Sequence, residues 1–268
     1  MNKKQQWAFF CGRLVPAAAL AATFFMVFGV LLSYEEGTNY FEANAITPLL
    51  ATVWAFLSLA SAVAFALLVP KEETLSKFPF GANLLVALPA SLGFAISGIF
   101  LALNFAQSRS YLALAAAVAL LLAALHVLLL EAGYCVKALG FIPPVACALL
   151  VCILYFDTSM EMNAPLKVVS QCALIPLMLY FTAELRYLLD RALPRLYLAL
   201  ALASIALSSL CTLAIPVAVI AGLLDNANCL AAAIAVLGAN LTVFFKLKRF
   251  STPIPSPDQN DTKETDAQ

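Results

Sequence analysis

The chain alternates between long apolar runs and short polar interruptions. Eight runs approach or exceed the roughly 20 residues that a bilayer-crossing helix needs. They are 14–33, 48–69, 83–103, 111–130, 136–156, 166–185, 196–224 and 229–245. The connections are too short to hold an extramembrane domain. The pattern therefore predicts an all-α integral membrane helical bundle with eight transmembrane helices, and any activity must lie in the bundle or its short loops. The run 196–224 is long for one crossing and contains Pro216, which removes a backbone N–H and kinks a helix. One long tilted or kinked span is expected there, with a full span plus a re-entrant piece as the alternative. The last run stops at Lys246-Leu247-Lys248-Arg249, a basic interfacial sequence. Residues 250–268, with Pro253, Pro255 and Pro257, read as a disordered cytoplasmic tail. The first run follows Lys3, Lys4 and Arg13 and is longer than the roughly 7–15 residues of a signal-peptide core, so it reads as an uncleaved first span.

Composition fixes the solvent as lipid. Hydrophobic residues are 63% of the chain and charged residues 11%, against roughly 45–50% and 25% in soluble domains. Soluble enzymes and coiled coils are excluded as descriptions of the whole chain, and no nucleic-acid partner is expected. The formal net charge is zero and names no partner. Placement says more: with the N-terminus inside, thirteen of the fifteen basic residues fall in cytoplasmic segments, and only Arg109 and Lys167 lie outside. Both termini are therefore expected in the cytoplasm. Tyr34, Tyr40, Tyr111 and Tyr155 fall at the outer interface, and Tyr134, Tyr187 and Tyr197 at the inner one. The seven cysteines form no CxxC pair and lack disulfide or zinc spacing, so they read as small apolar packers.

Lipid gives no hydrophobic drive between helices, so close packing calls for small residues. Gly93 and Ser97, the alanines from Ala113 to Ala124, and Ser204, Ser208 and Thr212 supply such stripes. They read as helix contacts, with a polar pathway as the functional alternative. Pro48 and Pro165, and Pro89 and Pro216, take matching places in two halves of four spans, but the other residues do not match.

Candidate chemistry is sparse. His126 is the only histidine, near the inner end of the fourth span, and Asn240 is a polar group in the middle of the last span. A single histidine leaves no HExxH or multi-histidine metal site, no cofactor motif is present, and an enzyme is not expected. The loop from Phe156 to Lys167 is the most distinctive segment. Asn163 suits a helix cap before Pro165, Asp157 or Glu161 can pair with Lys167, and Lys167 and Gln171 share a face with Thr182 deeper along it. This set reads either as an outward-facing polar mouth (Asp157, Glu161, Asn163, Lys167, Gln171) or as a capped helix start with an interfacial ion pair. In the Asp157–Lys167 segment and in Glu184-Leu185-Arg186-Tyr187 the chain resembles bacterial multi-pass membrane proteins of unknown function, mainly over residues 136–215. That resemblance implies a bacterial cytoplasmic membrane and no ligand or activity.

Three functions follow as expectations. A small permease or permease subunit for a small solute comes first, and its weak point is the lack of a carboxylate deep in a span. A non-catalytic scaffold or accessory subunit, with a membrane-protein partner or as a homo-oligomer, comes next. An intramembrane enzyme built on His126 with Glu131 or Glu184 is the third.

Overall fold

The computed structural model describes residues 3–35, 37–68, 83–134, 136–191 and 193–251. Most of the expected cytoplasmic tail, 252–268, lies outside the described residues, as do Lys71 and Lys77. The described helices are α1 (Lys3–Ser33), α2 (Ile46–Leu68), α3 (Leu84–Ser108), α4 (Tyr111–Glu131), α5 (Ile142–Phe156), α6 (Pro165–Leu188), α7 (Pro194–Ser208), α8 (Ala214–Ile220) and α9 (Ala227–Ser251). A 3-10 turn, Lys137–Phe141, leads into α5. A small antiparallel hairpin, β1 (Tyr34–Glu35) and β2 (Tyr40–Phe41), joins α1 to α2.

Seven of these segments, all but α7 and α8, are long and apolar enough to cross a bilayer. Leu20, Leu32, Leu67, Leu85 and Ile220 project outward, an apolar exterior suited to lipid. The protein is an all-α helical bundle of the multi-pass membrane type. α1 and α2 pair with each other and join the rest chiefly through α7 and α8, while α3, α4, α5, α6 and α9 form the larger body.

The run 196–224 departs from expectation. It is two short helices, α7 and α8, separated by turns over residues 209–213, and not one kinked span. In a continuous helix the Pro216 ring would strike the carbonyl of Thr212. The chain instead leaves the helix after Ser208 and restarts at Ala214, which puts Pro216 in a first turn where no N–H is required. The break is internally satisfied. The Ser208 carbonyl accepts from the N–H groups of Cys211 and Thr212, both at 3.0 Å. The Ser209 carbonyl accepts from Thr23 Oγ1 of α1, also at 3.0 Å. α7 has 15 residues, about 22 Å of helix against a hydrocarbon core of roughly 30 Å.

Small residues set the tightest contacts. A methyl group on Gly93 of α3 would lie 2.9 Å from the Gly238 Cα of α9, so the two backbones meet there directly. Ser97 Oγ donates to the Ala231 carbonyl at 2.7 Å across the same interface. Pro89 sits inside α3, and one turn of its hydrogen-bond ladder is carried by a neighbour. The Ala90 N–H donates to Thr242 Oγ1 of α9 at 3.0 Å, and Thr242 Oγ1 donates to the Val86 carbonyl at 2.9 Å. A hydroxyl lies where the direct Ala90–Val86 bond would run, so neither backbone group is orphaned beside Pro89.

Candidate functional site

Two polar clusters occupy opposite ends of the bundle, and a smaller contact lies between them. The first is at the end carrying the β-hairpin. Asp157 follows α5 directly, and its carboxylate is held on both oxygens. Oδ1 accepts from the Ser159 N–H at 2.9 Å and from Ser159 Oγ at 2.7 Å. Oδ2 accepts from Asn226 Nδ2 at 3.0 Å and Asn228 Nδ2 at 2.8 Å, which ties α5 to the start of α9. Burial pushes the Asp157 carboxyl up, but the bonds from Asn228, Ser159 and Asn226 outweigh it and hold the group below its ordinary 3.8.

Lys167 is buried in this region at 2% exposure, yet its ammonium meets backbone instead of a carboxylate. Nζ donates to the Asp157 carbonyl at 2.6 Å and to the Met160 carbonyl at 3.3 Å. The positive charge thus sits on the carbonyls that close the α5–α6 loop, where a cation complements the end of a helix dipole. Glu161 turns the other way and accepts from Tyr40 Oη at 2.8 Å. Asn163 also takes a bond from Tyr40 and does not cap α6: the cap position is Ala164, without a side-chain bond, and Pro165 opens the helix. Gln171 is half-buried, and Thr182 faces outward with its hydroxyl returned to the Met178 carbonyl. The expected stripe from Lys167 through Gln171 to Thr182 therefore does not run inward as one polar face.

The second cluster is at the end carrying the described chain termini. Lys246 of α9, only 3% exposed, places Nζ 2.6 Å from Glu184 Oε1 of α6 and 3.5 Å from Glu131 Oε1 of α4. Glu131 and Glu184 are 0% and 5% exposed. Tyr180 Oη donates to the same Glu184 oxygen at 2.7 Å, and lies 2.9 Å from Tyr197 Oη of α7. The Tyr197 ring stacks against Tyr180 and Tyr187 with centroids 5.2 Å apart in each case. Four helices thus contribute side chains to one connected network. Such a set can hold a proton or a charged group away from water, because each charge has a fixed partner and the walls are apolar.

His126 is buried on α4, five residues before Glu131, and packs near Gly140 of the 3-10 turn. Asn240 lies between the two clusters: its Oδ1 accepts from Ser204 Oγ at 3.1 Å and its Nδ2 donates to the Val236 carbonyl at 2.9 Å. Its side-chain partner is Ser204, from the small-residue stripe of α7. Among the described residues no group of three His, Cys, Asp or Glu side chains is placed to hold a metal ion. Comparison with protein-family models, with curated proteins and with solved structures returned no match.

Sequence reasoning missed Lys246 and the asparagines Asn226 and Asn228. Lys246 reads as part of a basic interfacial stop, but it falls three residues after Val243 and seven after Ala239, both on the buried face of α9. That spacing is the signal that separates it from Lys248 and Arg249. Asn226 and Asn228 sit in a short connection that only the fold brings to Asp157.

Proposed function

We propose that the chain is a small permease, or a permease-like membrane subunit, handling a small solute in a bacterial cytoplasmic membrane. The observation that carries this reading is the buried Lys246–Glu184–Glu131 network with Tyr180 and Tyr197. It buries two carboxylates and an ammonium at the span ends, inside the protein and away from water. Ionisable groups in membrane helices are costly and mark solute or proton pathways.

The same reading has eight crossings with both termini cytoplasmic. The broken α7–α8 run serves as the seventh crossing. Asp190, before it, bonds Lys137 at the start of the α5 segment, and Asn226, after it, bonds Asp157 at the far end of α5. These two contacts support a run that reaches from one end of α5 to the other. Discontinuous helices are a recurring feature of transporter folds, where irregular backbone lines the solute path. The distribution of basic residues supports this direction.

The test is accumulation by proteoliposomes exposed to a defined mixture of small metabolites, with the contents read by mass spectrometry. A solute enriched by the wild type and lost in Glu184→Gln supports the reading. Equal contents in wild-type and protein-free vesicles across the mixture, with correctly folded protein, refute it.

A further inference from the structure

Between α2 and α6 lies a groove of about 420 Å³ that opens on the outside of the bundle toward the hairpin end. Met26 forms part of its lining from α1, Leu49 and Thr52 from α2, Val168 and Val169 from α6, and Phe41 from the hairpin. Its chemistry is apolar. The one hydroxyl on these walls, that of Thr52, is already donated to the Pro48 carbonyl at 2.8 Å. Apart from the Asn163 amide, its side chains offer a polar solute or an ion nothing to replace its water.

The rim is different. Asn163 borders the groove, and Tyr40, beside Phe41, bonds to both Asn163 and Glu161. Glu161 is exposed and its carboxylate is held in place by that tyrosine. Glu35, paired across the hairpin from Tyr40, and Glu42, next to Phe41, are exposed as well. The cation nearest in sequence, Lys167, is buried and committed to two backbone carbonyls. An apolar slot on the outside of the bundle, with Asn163 in its lining and the Glu161 carboxylate joined to that residue through Tyr40, matches one class of ligand by shape and charge.

We propose that this groove binds one phospholipid with a primary-ammonium headgroup, of the phosphatidylethanolamine type. An acyl chain lies between Leu49 and Val168, and the ammonium pairs with Glu161. Headgroups of net negative charge are disfavoured by the same carboxylate. The site rests on the membrane nature of the chain and does not depend on the permease reading.

The test is native mass spectrometry of the full chain released from vesicles of equal phosphatidylethanolamine and phosphatidylglycerol content. Wild type is expected to retain one lipid per chain, with the ethanolamine form enriched about threefold to fivefold, the scale of one exposed ion pair. Glu161→Gln should keep the lipid and lose the enrichment. Val168→Trp should fill the slot and release the lipid, with Thr52→Trp filling it from the opposite wall should the first variant fail to fold. No retained lipid in the wild type, a retained ratio equal to that of the vesicle, or unchanged retention in the folded tryptophan variant would each overturn the proposal.

Discussion

The two ends of the bundle solve the burial of charge in different ways. At the hairpin end, Asp157 is satisfied by neutral donors and Lys167 by backbone carbonyls, so neither charge depends on the other. At the other end, Lys246 lies between two glutamates contributed by different helices, and Glu184 carries both the lysine and Tyr180 on one oxygen. The first arrangement is a latch: it closes a loop and ties helix ends. In the second, charges depend on each other across α4, α6 and α9, and a change of protonation at one member alters the others. That difference is why the second end is the better candidate for moving a charge or a solute.

The largest expected effect comes from removing the shared cation. Lys246→Met leaves Glu184 and Glu131 facing each other in a buried site, and breaking such a pair costs about 3–5 kcal/mol. Thermal unfolding in detergent should show a large loss. Adding Glu184→Gln to Lys246→Met should restore part of it, because two carboxylates then no longer face each other, while Glu131 still lacks Lys246. A Lys246→Met protein as stable as wild type would mean that the charges at this end do not depend on each other.

At the latch the loss should be smaller. Asp157→Ala strips acceptors from Asn226 and Asn228 and should cost about 1–3 kcal/mol, the scale of a buried donor left without its partner. Asp157 also gives the latch a pH signature. Its folded-state carboxyl lies below the ordinary 3.8, so its stabilisation is complete above that value and is lost as pH falls through the lower folded value. The stability gap between wild type and Asp157→Asn, followed by unfolding across pH, should stay flat near neutrality and narrow only below about pH 4. A gap that widens on acidification would contradict the ionised, hydrogen-bonded carboxylate.

A comparable loss is expected for Thr242→Val, which sits in neither cluster. It leaves the Ala90 N–H and the Val86 carbonyl without their bridge, at about 1–3 kcal/mol. Hydrogen exchange at Ala90 should rise in the variant, whereas unchanged exchange there would show that α3 forms the direct Ala90–Val86 bond.

Helix positions were largely legible because lipid forces each spanning segment to satisfy its backbone internally, which writes long apolar runs into the sequence. Ends drifted where polar residues continue a helix: α1 is described from Lys3 and α9 to Ser251, beyond the apolar runs that announce them. The break in the seventh run was legible only in part. Pro216 marks the trouble, but the chain places the break upstream, where the N–H groups of Cys211 and Thr212 and the hydroxyl of Thr23 satisfy the Ser208 and Ser209 carbonyls. At the sites, the sequence exposes which residues are unusual and hides their partners. Asp157 and Lys167 stand out together, yet one bonds to asparagines about seventy positions on and the other to backbone, which has no sequence identity to read. Glu131, Glu184 and Lys246 lie at span ends, where a charge ordinarily reaches water. Only their register with Val127, Leu177 and Val243 on buried faces marks them as internal.

The smallest effect belongs to the surface link between hairpin and loop. Tyr40 bonds Glu161 and Asn163, but both contacts are exposed to solvent, where water replaces a lost hydroxyl at little cost. Tyr40→Phe should therefore change unfolding stability by no more than about 0.5 kcal/mol. Its consequence should be positional. Without the hydroxyl, Glu161 is no longer held beside Asn163 at the α2–α6 groove, and the ethanolamine-over-glycerol enrichment of the proposed lipid should fall while the lipid itself remains. A large stability loss in Tyr40→Phe would place the hairpin among the structural elements of the latch and remove the distinction between a tied loop and a poised rim.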